Sequence, residues 1–174
     1  MPRAFKFAID IDPQYYAAIG EIAARWSWLE HRLTVLIREG FQLEKGAGRA
    51  VMASMNATTL LRTAQTLTKF PNWISDPGLR DEMTHFTKAV EAQRETRNAY
   101  VHGVYGPETT NPGPLYRIQM RAGDHILAPD GMAVTLRELQ KVAADLRALQ
   151  VRGNELSNRL KKAQRNSPID GGDR

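Results

Sequence analysis

The sequence predicts a mainly α fold: an up-and-down bundle of four to five helices with a small β-hairpin insert between the last two long helices. Three observations carry this reading. Apolar residues recur at three-to-four spacing through three long segments, the period of a helix with one buried face. Each of those segments opens on a local capping signal. Between about 103 and 134 the chain changes character, to glycines, prolines and threonines interleaved with short β-rich runs.

Asp12-Pro13 opens the first helix, because Asp caps free backbone N–H groups and Pro suits a first turn whose N–H is unpaired anyway. Ile19, Ile22, Ala23, Trp26, Leu29, Leu33, Leu36 and Ile37 form its stripe, and Gly40 is the expected stop. Trp26 belongs to the stripe. Trp28 faces another side, where it would cover a second surface such as a dimer partner. Gly46 and Gly48 mark a loop before a short helical piece through Val51 and Met55. Asn56 or Thr58 then caps a second piece carrying Leu60, Leu61, Ala64 and Leu67, which Pro71 ends.

Asp76-Pro77 repeats the opening signal. A long helix follows through Leu79, Met83, Phe86 and Val90 to Val101, with Gly103 placed to stop it. The insert then offers strands at Val104-Tyr105, Leu115 to Met120 and Ile126-Leu127, a turn at Asp130-Gly131 and a further strand at Met132 to Val134. Thr135-Leu136-Arg137-Glu138 is a capping box. Its helix carries Leu136, Leu139, Val142, Ala143, Leu146, Leu149 and Val151. The expected organisation is one helical-bundle domain over residues 1–165, with the insert at about 103–134 and a disordered tail over 166–174.

Composition narrows the function classes. The 174 residues suffice for one packed core, and 42% hydrophobic with 25% charged residues is an ordinary globular balance. There is no cysteine, which excludes disulfides, thiol catalysis and cysteine metal sites and suits a cytoplasmic protein. No apolar run approaches the roughly 20 residues that span a bilayer, and Asp10 and Asp12 break the N-terminal stretch, so neither a membrane partner nor a signal peptide is expected. The net charge of +5 points weakly to a polyanion, since Lys161, Lys162 and Arg165 are also what a solvated chain end looks like.

The residues suited to chemistry gather at Arg97-Asn98-Ala99-Tyr100-Val101-His102. Asn98 and His102 are four apart and share a helical face. Arg97 and His102 are five apart, about 140° around an ideal helix, so the spacing predicts that they converge only when two copies of the chain line a shared cleft. The types suit phosphodiester transfer. An imidazole takes a proton from a ribose 2′-OH near neutral pH, and a guanidinium matches phosphate oxygens with paired N–H bonds. The bland account is also open: Arg and His are favoured at a helix C-terminus by about 0.3–1 kcal/mol each, and Arg97 could pair with Glu30 across the bundle.

Other signals are weaker. Glu82 and His85 have the Glu-x-x-His spacing of a di-iron bundle without the second pair such a site needs. Glu30-His31 sits on the first helix, where Glu30 could reach the Arg97 cleft or make a plain salt bridge, and His125 in the insert has no identifiable partner. Gly46 and Gly48 lack the Lys-Ser/Thr of a phosphate loop, and no serine sits in a nucleophile elbow. No metal or cofactor is expected.

With Arg97-Asn98-Ala99-Tyr100-Val101-His102 as Arg-x4-His late in a long helix, Trp26-Ser27-Trp28-Leu29-Glu30 upstream and Gly103-Val104-Tyr105 after it, the chain resembles the HEPN family (higher eukaryotes and prokaryotes nucleotide-binding), in its bacterial and phage members. The likeness covers about residues 12–160, and its specific signal is confined to Arg97–Tyr105. It implies a homodimer with a composite cleft and metal-independent endoribonuclease activity, as a toxin with a protein antitoxin or as an antiphage effector. Carried over by position, Arg97 would bind the scissile phosphate, His102 would serve as general base or acid and Asn98 would orient it. Tyr105 would support the site, although it stands three residues after His102 where some members have a tyrosine at two. Glu30 would be a supporting group. The β insert is a departure from the minimal bundle. Some members are non-catalytic, so the alternative expectation is a helical dimer that binds nucleic acid, nucleotide or protein.

Overall fold

The computed structural model describes residues 11–107, 114–123 and 126–166, with the backbone alone at 119–123, 126–130 and 166. The chain is mainly helical, as expected: the described residues form five helices with a small antiparallel sheet between the fourth and fifth. The order is α1 (Pro13–Gly40), α2 (Lys45–Met52), α3 (Ala57–Leu67), α4 (Pro77–Val101), β1 (Val104–Pro107), β2 (Leu115–Gly123), β3 (Ile126–Val134) and α5 (Leu136–Asn166). Among the described residues no helix is long and apolar enough to cross a membrane.

The predicted caps form. Asp12 Oδ1 accepts the Gln14 N–H at 2.8 Å, Asn56 Oδ1 the Thr59 N–H at 2.9 Å and Asp76 Oδ1 the Gly78 N–H at 2.8 Å. The capping box closes reciprocally. The Thr135 N–H donates to Glu138 Oε2 at 2.7 Å, and the Glu138 N–H donates to Thr135 Oγ1 at 3.2 Å.

Three local expectations are corrected. Gly46 and Gly48 do not mark a loop but lie inside α2, which Glu44 caps by accepting the Ala47 N–H. Gly48 is there because a Cβ would sit 2.9 Å from Arg38 Cγ, so α2 approaches α1 more closely than a side chain allows. Asp130-Gly131 is not a turn: β3 runs through it, with Asp130 opposite Gln119 and Gly131 opposite Ile118. Val151, assigned to the buried face of α5, is 53% exposed, and the face continues instead through Gly153, Leu156, Ser157 and Leu160. Of the expected tail, Asn166 still belongs to α5, and 167–174 lie outside the described residues, as do His125 and the first ten residues.

The chain divides into two compact units, through both of which α1, α4 and α5 run. Of the described residues, the first holds those up to Arg25 and those from Arg94 to Leu146. Its buried residues include Ala18 and Ile22 of α1, Tyr105, Tyr116, Ile118 and Val134 of the sheet, and Leu139, Val142, Ala143 and Leu146 of α5. The sheet order is β1-β2-β3, with Tyr105 opposite Arg117 and Arg117 opposite Met132, so these three side chains share one face.

The second unit, Trp26–Gln93 with the rest of α5 from Arg147, is the helical bundle proper. Trp26, Leu29, Leu33, Leu36, Leu61, Leu67, Leu79, Met83, Phe86, Val90, Leu156 and Leu160 fill it. Gly40 ends α1 where a Cβ would meet Leu67 Cδ1 at 2.6 Å, and Gly153 lets α5 approach Phe86 and Arg32.

Candidate functional site

The last turns of α4 carry Arg97 and Asn98, and His102 sits one residue beyond the last helical residue, Val101. Its N–H still donates to Asn98 O at 3.2 Å, although the residue lies past the end of the helix. This corrects the angular expectation. Arg97 Nη1 donates to Asn98 Oδ1 at 2.8 Å and contacts His102 Nε2 at 3.1 Å, so one chain brings all three groups together. The 140° argument fails because it treated position 102 as helical and ignored the reach of an arginine around a helix end. His102 is exposed, and Arg97 and Asn98 are half-buried.

The contact assigns roles. A guanidinium has only donors, so His102 Nε2 is the acceptor, and the ring proton is on Nδ1. Asn98 holds the same Nη1, which fixes the direction of the arginine. The arrangement therefore presents a cation, an amide and an imidazole at one exposed helix end. An anion arriving there competes with Nε2 for the guanidinium.

Tyr105 and Glu30, expected as supporting groups, have other partners. Tyr105 is 9% exposed, and its hydroxyl donates to Tyr100 O, which satisfies a carbonyl left free by the end of α4. Burial is the main reason its phenol is pushed up to about 12, with Arg117 working against that and Tyr100 adding to it. Glu30 belongs to the second unit, where its carboxylate accepts the buried Trp26 Nε1–H at 2.8 Å. The Trp28 ring is covered by Arg32, whose guanidinium carbon lies 4.5 Å from the ring centroid.

One residue near the site carries no motif and escaped the sequence reading. Arg117 of β2 is 8% exposed. Its guanidinium lies over the Tyr100 ring at 5.5 Å, its Nη2 meets only the sulfur of Met132 at 3.8 Å, and its Nε is buried without a hydrogen-bond partner. No carboxylate among the described residues pairs with it. Its stem presses on Gly103, where a Cβ would stand 2.8 Å from Arg117 Cγ and 2.9 Å from Ala99 O. Gly103 is thus required by close approach and not by a left-handed backbone, since none of the described glycines has positive φ. Taking a cation out of water is costly, and the Tyr100 ring returns about 0.5–2 kcal/mol of that cost. A lone arginine in a strand gives no sequence signal, because its meaning comes from its cross-strand neighbours.

The other ionic features are structural. Glu82 pairs with Arg159 at 2.5 Å, and its neighbour His85 is exposed. Among the described residues no three His, Asp or Glu side chains come together as a metal site. A cleft of about 460 Å³ in the second unit is lined by Arg38, Glu39, Lys45, Lys161 and Arg165. There Glu39 is shared by Arg38 and Lys161, and Gln164 donates to the terminal carbonyls of α1, an arrangement that satisfies a helix C-terminus.

Comparison with known protein families, with curated proteins and with solved structures returns no match.

Proposed function

We propose that this chain is a metal-independent endoribonuclease of the HEPN type, acting through Arg97, Asn98 and His102. The observation that carries the reading is the 3.1 Å contact between Arg97 Nη1 and His102 Nε2 at an exposed helix end, with Asn98 on the same Nη1. An incoming phosphodiester draws the guanidinium onto its oxygens and frees the Nε2 lone pair. That nitrogen takes the 2′-OH proton as the O2′–P bond forms and the P–O5′ bond breaks, leaving a 2′,3′-cyclic phosphate and a 5′-hydroxyl. The guanidinium then stabilises the charge that builds on the phosphoryl oxygens, work that needs no metal ion.

The leaving 5′ oxygen needs a proton from a second acid. A homodimer with two such helix ends in a shared cleft supplies it as the other imidazolium, which gives the dimer a chemical purpose. The biological setting that goes with this reading is a toxin held by a protein antitoxin, or an antiphage effector. The Arg97 cap on Nε2 also favours a second reading, a module that holds phosphate without cleaving it.

The test is cleavage of mixed-sequence RNA in excess EDTA by the wild type, His102→Ala and Arg97→Ala. The reading requires cyclic-phosphate products from the wild type and loss in both variants, by a factor of about 10² or more for the imidazole. Binding of RNA by a folded wild type with no cleavage moves the assignment to the second reading.

A further inference from the structure

We propose that Arg117 is a phosphate-binding residue of the Arg97–His102 site, taking a phosphodiester oxygen of RNA where the Met132 thioether now covers it. The choice of a phosphodiester over another anion rests on the ribonuclease reading. The need for an anion does not.

Four observations converge. Arg117 is more than nine-tenths buried, yet no carboxylate among the described residues answers its charge. Its Nε has no partner, and Nη2 has only a sulfur, a weak acceptor, at 3.8 Å. The Tyr105 hydroxyl, whose residue stands opposite Arg117 across the strands, is spent on Tyr100 O. Finally, the covering side chain is removable: Met132 is 61% exposed, unbranched and flexible.

Place and chemistry match the same ligand. Tyr100, under the Arg117 guanidinium, stands in the last turn of α4 between Arg97 and His102 in sequence, and Gly103, against the Arg117 stem, follows His102 directly. Pairing of β2 on both sides, with Tyr105 and with Met132, holds the arginine in place before a ligand arrives. A planar fork with fixed direction suits the two free oxygens of a phosphodiester, and weaker hydration makes arginine the cation that tolerates waiting in a dry place. The β insert, extra to a plain bundle, thereby gains a role in holding substrate.

The experiment compares the wild type, Arg117→Met and Arg117→Lys in phosphate-free buffer. Two probes are used: inorganic phosphate, read as a shift in thermal midpoint, and a 2′-O-methyl oligoribonucleotide that cannot be cleaved, read by fluorescence anisotropy. The proposal expects both variants to melt at or above the wild type without ligand, since an unanswered charge has been removed or made easier to hydrate. It expects oligonucleotide binding to weaken about ten- to a hundredfold in Arg117→Met and less in Arg117→Lys, the range of a charged hydrogen bond. A rise in midpoint with phosphate alone, lost in Arg117→Met, identifies the bare anion as sufficient. A rise only with the oligonucleotide identifies the nucleic acid chain as the source. Arg117→Met that unfolds or melts well below the wild type overturns the proposal, because the fold then depends on the charge. Oligonucleotide affinity equal to the wild type overturns it as well. Cleavage lost in His102→Ala but normal in Arg117→Met removes this inference alone. Arg117-dependent binding with no cleavage by any variant removes the ribonuclease reading alone.

Discussion

Replacing Gly103 by alanine tests the close fit that joins α4 to the β insert. The new Cβ would lie 2.9 Å from Ala99 O and 2.8 and 3.0 Å from Arg117 Cγ and Cδ. Retreat from one meets the other, and neither yields easily: Ala99 O is backbone in the last turn of α4, and β2 is paired on both sides. Overpacking of this kind costs about 1–3 kcal/mol. The unfolded chain loses freedom when glycine becomes alanine, which returns about 0.4–1 kcal/mol. The middles of these two ranges leave a net loss on the order of 1 kcal/mol, and a chain of this length melts about 2–4 °C lower per kcal/mol. Gly20→Ala is the matched control. Nothing lies within 4 Å of the Cβ it would add, so it should melt higher, by about 0.5–1 kcal/mol of helix propensity. Thermal unfolding followed by circular dichroism on both variants decides the matter. A Gly103→Ala protein as stable as the wild type would refute the close-approach account, as would a shift of both variants in the same direction.

Further outcomes follow from the same geometry. Thr135→Ala should cost about 0.5–2 kcal/mol in denaturant unfolding, because it removes the oxygen that accepts the Glu138 N–H, and an unchanged midpoint would mean water replaces it. Tyr105 has a folded-state value of about 12 against an ordinary 10, so it favours the fold below pH 10 and loses that contribution as pH rises from 10 to 12. Tyr105→Phe should flatten the alkaline limb of the stability profile, and wild-type phenolate absorbance should show one tyrosine titrating late. Backbone N–H bonds from Gly46 and then Ala47 hold the Glu44 carboxyl below its ordinary 4.5. Its contribution is therefore complete above pH 4.5 and is lost as pH falls through the lower folded value. Glu44→Gln should show a shallower loss of stability under acid, with Glu82, held low mainly by its hydrogen bond to Arg159, accounting for part of what remains.

What the sequence determined by itself is what neighbours in the chain determine. Asp12, Asn56, Asp76 and the Thr135–Glu138 box each satisfy N–H groups two or three residues away, so the starts of four helices are legible without any tertiary contact. The stripe from Ile22 to Ile37 was equally legible, since helical period alone puts those residues on one face. Tertiary structure decided the rest. Gly46 and Gly48 read as a loop by propensity, yet both lie in the helix that Glu44 caps, and at Gly48 a Cβ would crowd Arg38. Asp130-Gly131 reads as a turn, yet pairing with Gln119 and Ile118 keeps it extended. Arg97 and His102 were visible as types, but their meeting depends on α4 stopping at Val101 and on the reach of one long side chain. Arg117 was invisible, because a cation in a strand acquires meaning only when strand register sets Tyr105 and Met132 beside it and the end of α4 against it. Local hydrogen bonding is written in consecutive residues, whereas burial and charge balance are settled only when distant segments of the chain meet.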